Sequence, residues 1–107
     1  MGKIRFSRRA EVDLLSLGDY TLHKWGKAQA IRYIGELELC CQMLADNPAL
    51  GRTCDEVRPG LRRHEHGRHV VFYRQRRGGI LISRILHQRM LPGTHTIDDQ
   101  GEEPSGW

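Results

Sequence analysis

The chain of 107 residues contains no long uninterrupted run of apolar side chains. From Lys3 to Phe6 it alternates charged and apolar residues, so we expect neither a signal peptide nor a membrane-spanning segment near its start. Position 6 is Phe6, whereas an N-myristoylation signal would have Ser or Thr there. The sequence therefore predicts a cytoplasmic protein that does not associate with membranes.

Motifs for nucleotide cofactors and for the common hydrolases are also missing. The sequence has no P-loop, no Gly-x-Gly-x-x-Gly, no Gly-x-Ser-x-Gly and no His-Glu-x-x-His. A chain of this length fits one domain with one core, which leaves no room for a separate cofactor domain. We therefore expect a single domain without a cofactor.

Cysteine is scarce, and its spacing favours neither disulfides nor zinc. Cys40 and Cys41 are adjacent, so on a helix their side chains diverge by about 100°. Cys54 stands alone, and no Cys-x-x-Cys occurs. His64 and His66 would share one side of a strand, but only Cys54, from a loop, could join them as a third ligand. We predict reduced thiols, solvent-facing histidines and no metal.

Lysine is absent from residues 52–97, which contain ten arginines and only three acidic residues, a net charge of +7. Arginine without lysine is typical of bidentate contacts to carboxylates or phosphates and of stacking on aromatic rings. The alternative is a basic surface that is simply solvated. The last ten residues reverse the charge, with four acids and no basic residue. We interpret residues 93–107 as a flexible acidic tail.

Helical spacing dominates the first half of the chain. Residues 3–6 alternate like a short strand, and Ser7 stands at an N-cap position before a helix predicted over about residues 8–24. Trp25-Gly26 ends that helix. A second helix is predicted over residues 27–46 and ends before Asn47-Pro48. The short link requires the two helices to fold back as an antiparallel hairpin.

The second half of the chain has the two-residue period of strands. After a loop over residues 49–60, strands are predicted at 61–66, 68–76 and 80–87, with glycine turns between them. The order β-α-α-β-β-β predicts an α+β fold, in which an N-terminal strand and a helical hairpin pack on one face of a mainly antiparallel sheet. We assign residues 1–92 to this domain.

The last two predicted strands are apolar on both faces, yet one helical hairpin covers only one face. Strict alternation places Val71 and Tyr73 on one face of their strand, and Leu81 and Ile85 on one face of the next strand, opposite Ile80 and Ile82. We therefore expect a separate partner chain to cover the face that the hairpin leaves open.

Several segments together resemble the ParE/RelE toxin superfamily over about residues 3–90. In chain order they are Tyr20, Trp25-Gly26, Gln29-Ala30, Tyr33, Leu37, residues 44–48, Gly51-Arg52, residues 58–62 and residues 67–74. The run Ile85-Leu86-His87-Gln88-Arg89-Met90 is similar to the closing signature of the ParE branch. The sequence departs from the family pattern directly afterwards, because Leu91-Pro92-Gly93 disfavours the short helix usual there.

The resemblance implies a cytoplasmic toxin with a cognate ParD-like antitoxin, acidic and partly disordered, as its partner, either as a homodimer or in a heterotetramer with the antitoxin. It implies DNA gyrase as the target, which the toxin would inhibit by binding and not by catalysis. The candidate target-binding residues are Arg62, Arg68, Arg74, Arg84, His87, Arg89 and Met90. The candidate antitoxin-binding residues are Leu15, Leu22, Trp25, Val71, Tyr73, Leu81 and Ile85.

Two alternatives remain open at this point. A ribosome-dependent, metal-independent endoribonuclease of the RelE type would use His87 as a general base, with Arg62, Arg74 and Arg84 as cations for the phosphorane charge. A non-toxic, decayed family member is the other alternative, suggested by the altered segment after Met90.

Overall fold

Helix α1 (Arg8–Trp25) starts where the first strand, β1 (Lys3–Phe6), ends, and the computed structural model describes residues 2–88. Ser7 makes this junction rigid. Its Oγ accepts the Ala10 N–H at 3.0 Å, as a helix N-cap does, and donates to the Ser83 carbonyl at 2.8 Å. Ser7 is fully buried, so a single hydroxyl fixes both the start of α1 and its position against the sheet.

The two helices form the predicted hairpin. Gly26 separates α1 from α2 (Lys27–Asp46) and has a φ of +92°, which favours glycine. The N–H of Gly26 donates to the Leu22 carbonyl and its own carbonyl accepts from Ala30, so one residue both ends α1 and begins α2. The predicted helices at residues 8–24 and 27–46 agree with these bounds.

Within residues 2–88 the sheet contains five strands, in the order β1-β5-β4-β3-β2. After α2 and a short 3₁₀ turn, the strands are β2 (Arg52–Thr53), β3 (Leu61–His66), β4 (His69–Arg76) and β5 (Gly79–His87). Strand β1 pairs with β5 in parallel, and the other pairs are antiparallel. The predicted α+β fold, with a helical hairpin on the sheet, is confirmed. Strand β2 was not predicted because two residues show no period.

Strict alternation fails in β5, because its pairing with β4 shifts by one residue opposite Phe72 and Tyr73. Tyr73 pairs with Ile82 and Phe72 with Arg84, so Ser83 is an extra residue, a β-bulge. The bulge moves Ile85 to the face that carries Ile80 and Ile82. The sequence-based assignment of Ile85 to the opposite face is therefore wrong.

Both faces of the sheet are buried, which corrects the expectation of an uncovered face. Val71, Tyr73 and Ile85 are 3% exposed or less and pack in the main core with residues of both helices. Leu81 is also fully buried. On the face opposite the hairpin, a second cluster contains Val70, Phe72, Leu86, Cys54 and Leu61, the last two from the segment that precedes and begins β3.

Two predicted target-binding residues and the predicted tail lie beyond residue 88, where the described part of the chain ends. Arg89, Met90 and the predicted tail over residues 93–107 lie outside the described residues. Within residues 2–88, neither helix has the length and apolarity that crossing a membrane requires.

Candidate binding surfaces

A stripe of exposed apolar side chains runs along α1. Val12, Leu15, Leu22 and Trp25, which we call the α1 stripe, are separated by three or seven residues and so lie along one side of the helix. Leu15 is 75% exposed, and Trp25 is 61% exposed. The side chains of α1 that enter the core, such as Leu17, belong to another side of the helix. Leu15, Leu22 and Trp25, three of the predicted antitoxin-binding residues, are thus available to a partner.

A second apolar surface lies between β1 and the two helices. This β1 groove has a volume of about 480 Å³. It is lined by Ile4, Phe6, Leu14, Gly35, Glu38, Leu39, Cys41 and Gln42. Strand β1 is an edge of the described sheet, and Leu39 is 73% exposed. Among the described residues, no atom lies within 4 Å of a Cβ added at Gly35, so packing does not require glycine at this position of the groove wall.

This groove was not predicted from the sequence, although Gly35, a glycine inside a predicted helix, is a signal for it. A glycine inside a helix costs about 1 kcal/mol relative to alanine, and its presence in an otherwise regular helical pattern points to a close approach or to a functional reason. No neighbouring atom in the described part of the chain requires glycine at this position.

Arg84, a predicted target-binding residue, is part of the structural framework. Its guanidinium donates to both carboxylate oxygens of Asp13, at 2.8 and 3.0 Å, and the two side chains are only 11% and 12% exposed. The Ile85 N–H donates to the same carboxylate at 2.9 Å. This bidentate pair ties α1 to β5.

Arg62 and Arg74 also bond to the protein's own backbone. Arg62 donates to the Gly51 carbonyl at 2.6 Å, and Arg74 donates to the Pro59 carbonyl at 3.0 Å. Both contacts hold the loop that precedes β3. The bidentate and stacked contacts predicted for arginine do occur within the chain, but at other positions: Arg84 pairs with Asp13, and Arg63 lies 5.6 Å from the Phe72 ring centroid.

The residues of the proposed nuclease site are not brought together. His87 pairs with His69 at one end of the β4–β5 ladder, whereas Arg74 lies near the other end of β4. Five residues of strand separate His69 from Arg74, a distance of about 17 Å. Arg62 lies at the same distant end, because it pairs with Tyr73. A general base at His87 would therefore be too far from these cations to share one phosphate with them.

Histidines instead gather around Tyr33 at the near end of the sheet. The Tyr33 hydroxyl lies 2.8 Å from His69 Nδ1 and 3.2 Å from the His66 carbonyl oxygen. The rings of His69 and His87 meet edge to face, with centroids 5.4 Å apart. Gly67 has a φ of +58°, and a Cβ there would lie 2.8 Å from the Tyr33 hydroxyl, so glycine is required for this approach.

His69 and Tyr33, the two side chains that bond to each other in this cluster, are both neutral at neutral pH. Burial, together with the smaller effects of the nearby His87 and His66, lowers the pKa of His69 to about 4. Burial also raises the pKa of Tyr33. Among residues 2–88, no group of three or more His, Cys, Asp or Glu side chains is placed to hold a metal ion. His64 and His66 are half-buried and not fully solvent-facing.

All three cysteines are free thiols and buried. Burial raises the pKa of each, and that of Cys41 reaches about 12. The thiols are therefore protonated at neutral pH, which makes them poor nucleophiles.

A pocket of about 250 Å³ lies where the helical hairpin turns, next to the histidine cluster. We call it the elbow pocket. It is lined by Tyr20, Thr21, Lys24, Trp25, Gln29, Tyr33, Gly67, Arg68, His69 and His87. It joins one predicted antitoxin-binding residue, Trp25, to two predicted target-binding residues, Arg68 and His87.

Residues 4–92 match the family described as "ParE toxin of type II toxin-antitoxin system, parDE". The chain belongs to the ParE toxin family. Toxin ParE1 of Mycobacterium tuberculosis is 44% identical over 85 residues, which cover 78% of this chain and 87% of that toxin. Toxin ParE1 of Caulobacter vibrioides is 39% identical over 97 residues, covering 89% and 98% of the two chains.

The fold of a solved relative agrees with the ParE architecture. A chain of the chromosomal ParDE toxin–antitoxin system from P. aeruginosa superposes with a TM-score of 0.68 over 81% of this chain and 96% of that chain. Its sequence identity is 21%, so this likeness concerns the fold alone.

Proposed function

We propose that this ParE family member inhibits DNA gyrase by direct binding and is neutralised by a cognate ParD-like antitoxin. The observation that carries the proposal is the character of the exposed surface. The helices present apolar side chains that the fold does not use, while the residues of a nuclease site are held apart. Exposed apolar patches of this kind mark protein-binding sites. The toxin would act in the cytoplasm, where gyrase works.

The antitoxin is best accommodated by the α1 stripe together with the β1 groove. An amphipathic helix could lay its apolar side along Leu15 and Leu22, as in other helix-in-groove complexes. Exposed basic residues surround the start of α1, among them Lys3 and Arg8. An acidic, partly disordered partner complements this charge and would become ordered on binding. The toxin would form either a homodimer or a heterotetramer with the antitoxin.

Gyrase inhibition is tested with the purified toxin in a supercoiling assay and by induction of the toxin in cells. We expect loss of supercoiling, followed by filamentation and a DNA-damage response. Undisturbed gyrase at toxin concentrations that arrest growth would refute this target. Early arrest of translation with codon-phased cuts in messenger RNA would favour the endoribonuclease instead, and absence of any growth arrest would favour a non-toxic family member.

The antitoxin surface is tested by charge substitution on α1. Leu15→Glu and Leu22→Glu place a carboxylate in the α1 stripe, and we expect each to weaken binding of the antitoxin encoded next to the toxin gene at least about tenfold. Ser16→Glu adds the same charge at an exposed neighbouring position and serves as the matched control. Equal affinities for all three variants, measured by calorimetry, would show that the antitoxin binds elsewhere.

A further inference from the structure

The elbow pocket combines exposed aromatic rings with positive charge. Tyr20 is 59% exposed and Trp25 is 61% exposed. Lys24 Nζ donates to the Tyr20 hydroxyl at 3.1 Å and lies 5.5 and 5.6 Å from the ring centroids of Tyr20 and Trp25. One ammonium group therefore holds both aromatic side chains at the rim of the pocket.

The opposite rim is also positive, and the floor is uncharged. Arg68 is exposed in the turn between β3 and β4, and none of the ten lining residues is acidic. Tyr33 and His69 form the floor, where their hydroxyl and ring nitrogen bond to each other at 2.8 Å. The fold leaves an anion-attracting pocket with two cations and no internal counter-charge among its lining residues.

We infer that the elbow pocket is the site at which this toxin binds its protein target, and that the target supplies a segment with one acidic side chain next to a large apolar one. The inference rests on the proposed function, inhibition of a protein by direct binding. Trp, Tyr and Arg are the residues that dominate the energetics of protein interfaces, and Trp25, Tyr20 and Arg68 present all three around one cavity. Its volume of 250 Å³ is slightly below the range of about 300–1,000 Å³ typical of small-molecule sites, and suits a protruding side chain.

A nucleic acid strand fits the pocket less well than a protein segment. Glu36 continues the α2 wall one turn beyond Tyr33, close enough that its charge raises the pKa of the Tyr33 hydroxyl. A phosphate backbone leaving the pocket along α2 would pass this carboxylate and be repelled by it. A single acidic side chain seated between Lys24 and Arg68 avoids that repulsion.

The pocket is separate from the β1 groove. Leu39, in the groove, follows Gln29, in the pocket, by ten residues of the same helix, a rise of about 15 Å. A substitution on the β3–β4 turn therefore perturbs the target site without touching the groove or the residues of the α1 stripe that precede Trp25.

The test replaces Arg68 by glutamate and compares three readouts: growth arrest on induction, inhibition of gyrase supercoiling and antitoxin affinity. We expect Arg68→Glu to abolish growth arrest and to weaken gyrase inhibition at least about tenfold, with antitoxin affinity unchanged. Arg77→Glu makes the same change in the turn between β4 and β5, outside the pocket, and should remain as toxic as the wild type. Tyr20→Ala, which removes an exposed wall without reversing charge, should also reduce toxicity. Circular dichroism and urea unfolding of each variant establish that it is folded.

The outcomes separate this inference from the proposed function. Full toxicity of both Arg68→Glu and Tyr20→Ala overturns the inference, whatever the wild type does to gyrase. If the wild type arrests growth without inhibiting supercoiling, gyrase is the wrong target, and the growth arrest of the variants still decides the role of the pocket. Equal loss of activity in Arg68→Glu and Arg77→Glu would indicate a general charge effect and also overturn the inference. Binding of a single-stranded oligonucleotide that requires Arg68, with gyrase inhibition unaffected, would do the same.

Discussion

His69 makes the stability of this fold depend on pH in a defined window. Its ring is half-buried between Tyr33, His66 and His87, and burial lowers its pKa to about 4. In the unfolded chain the same side chain has a pKa of about 6.5. Above pH 6.5 neither state carries a proton at His69, so this residue adds no pH dependence there.

Between pH 6.5 and pH 4, His69 is protonated in the unfolded state and unprotonated in the folded state. The free energy of unfolding therefore falls as pH decreases through this window, and the further loss levels off below pH 4, where both states become protonated. From the two pKa values, the loss reaches about 2 kcal/mol at pH 5 and about 3 kcal/mol at pH 4.

The matched variant is His69→Asn, whose amide takes the place of Nδ1 beside the Tyr33 hydroxyl but does not titrate. Urea unfolding at pH 7.5 and pH 5.0 should show the wild type losing about 2 kcal/mol more than the variant. Carboxylates with lowered pKa values, such as that of Glu65, affect both proteins alike and cancel in the comparison. If the free energy of unfolding depends on pH identically in the two proteins, His69 does not have the lowered pKa on which this prediction rests.

Three further substitutions test the framework by urea unfolding. Asp13→Ala removes the carboxylate that Arg84 and the Ile85 N–H share, and should destabilise the fold by about 3 kcal/mol because a largely buried guanidinium loses its counter-charge. Tyr73→Phe deletes a buried hydroxyl that donates to one loop carbonyl and accepts one loop N–H, and should cost about 1–3 kcal/mol. Gly35→Ala places a methyl group where no described atom lies within 4 Å, and should raise the free energy of unfolding by about 0.5–1 kcal/mol; an unchanged free energy of unfolding would contradict this. If the antitoxin uses the β1 groove, the same substitution should weaken antitoxin binding.

Local signals were sufficient for the helices because their ends are encoded by single residues. Ser7 caps α1 with its own hydroxyl, and Gly26 adopts the positive φ that ends one helix and starts the next. The strands β3, β4 and β5 were likewise evident from alternation and glycine turns. These features depend on neighbours in sequence, which is why sequence patterns reveal them.

The faces of β5 and the roles of the arginines were not predictable in the same way. The bulge at Ser83 is decided by how β5 pairs with β4 and by the Ser7 hydroxyl that reaches its carbonyl. A one-residue slip transfers every later side chain to the opposite face, so Ile85 was placed wrongly. Arg84 was read as a partner-binding residue because the sequence does not show that Asp13, 71 residues earlier, lies beside it.

The physical reason for expecting a partner lies on the helices and not on the sheet. The sheet needs no other molecule to cover its apolar residues, because two internal clusters bury them. The exposed apolar area lies instead on the helices. Side chains such as Leu15 and Leu39 remain largely in contact with water in the folded chain, so the fold gains little from burying them. A partner that covers them adds binding energy without being required for folding. If the antitoxin covers these side chains, as we propose, it binds a toxin whose two apolar clusters are already formed without it.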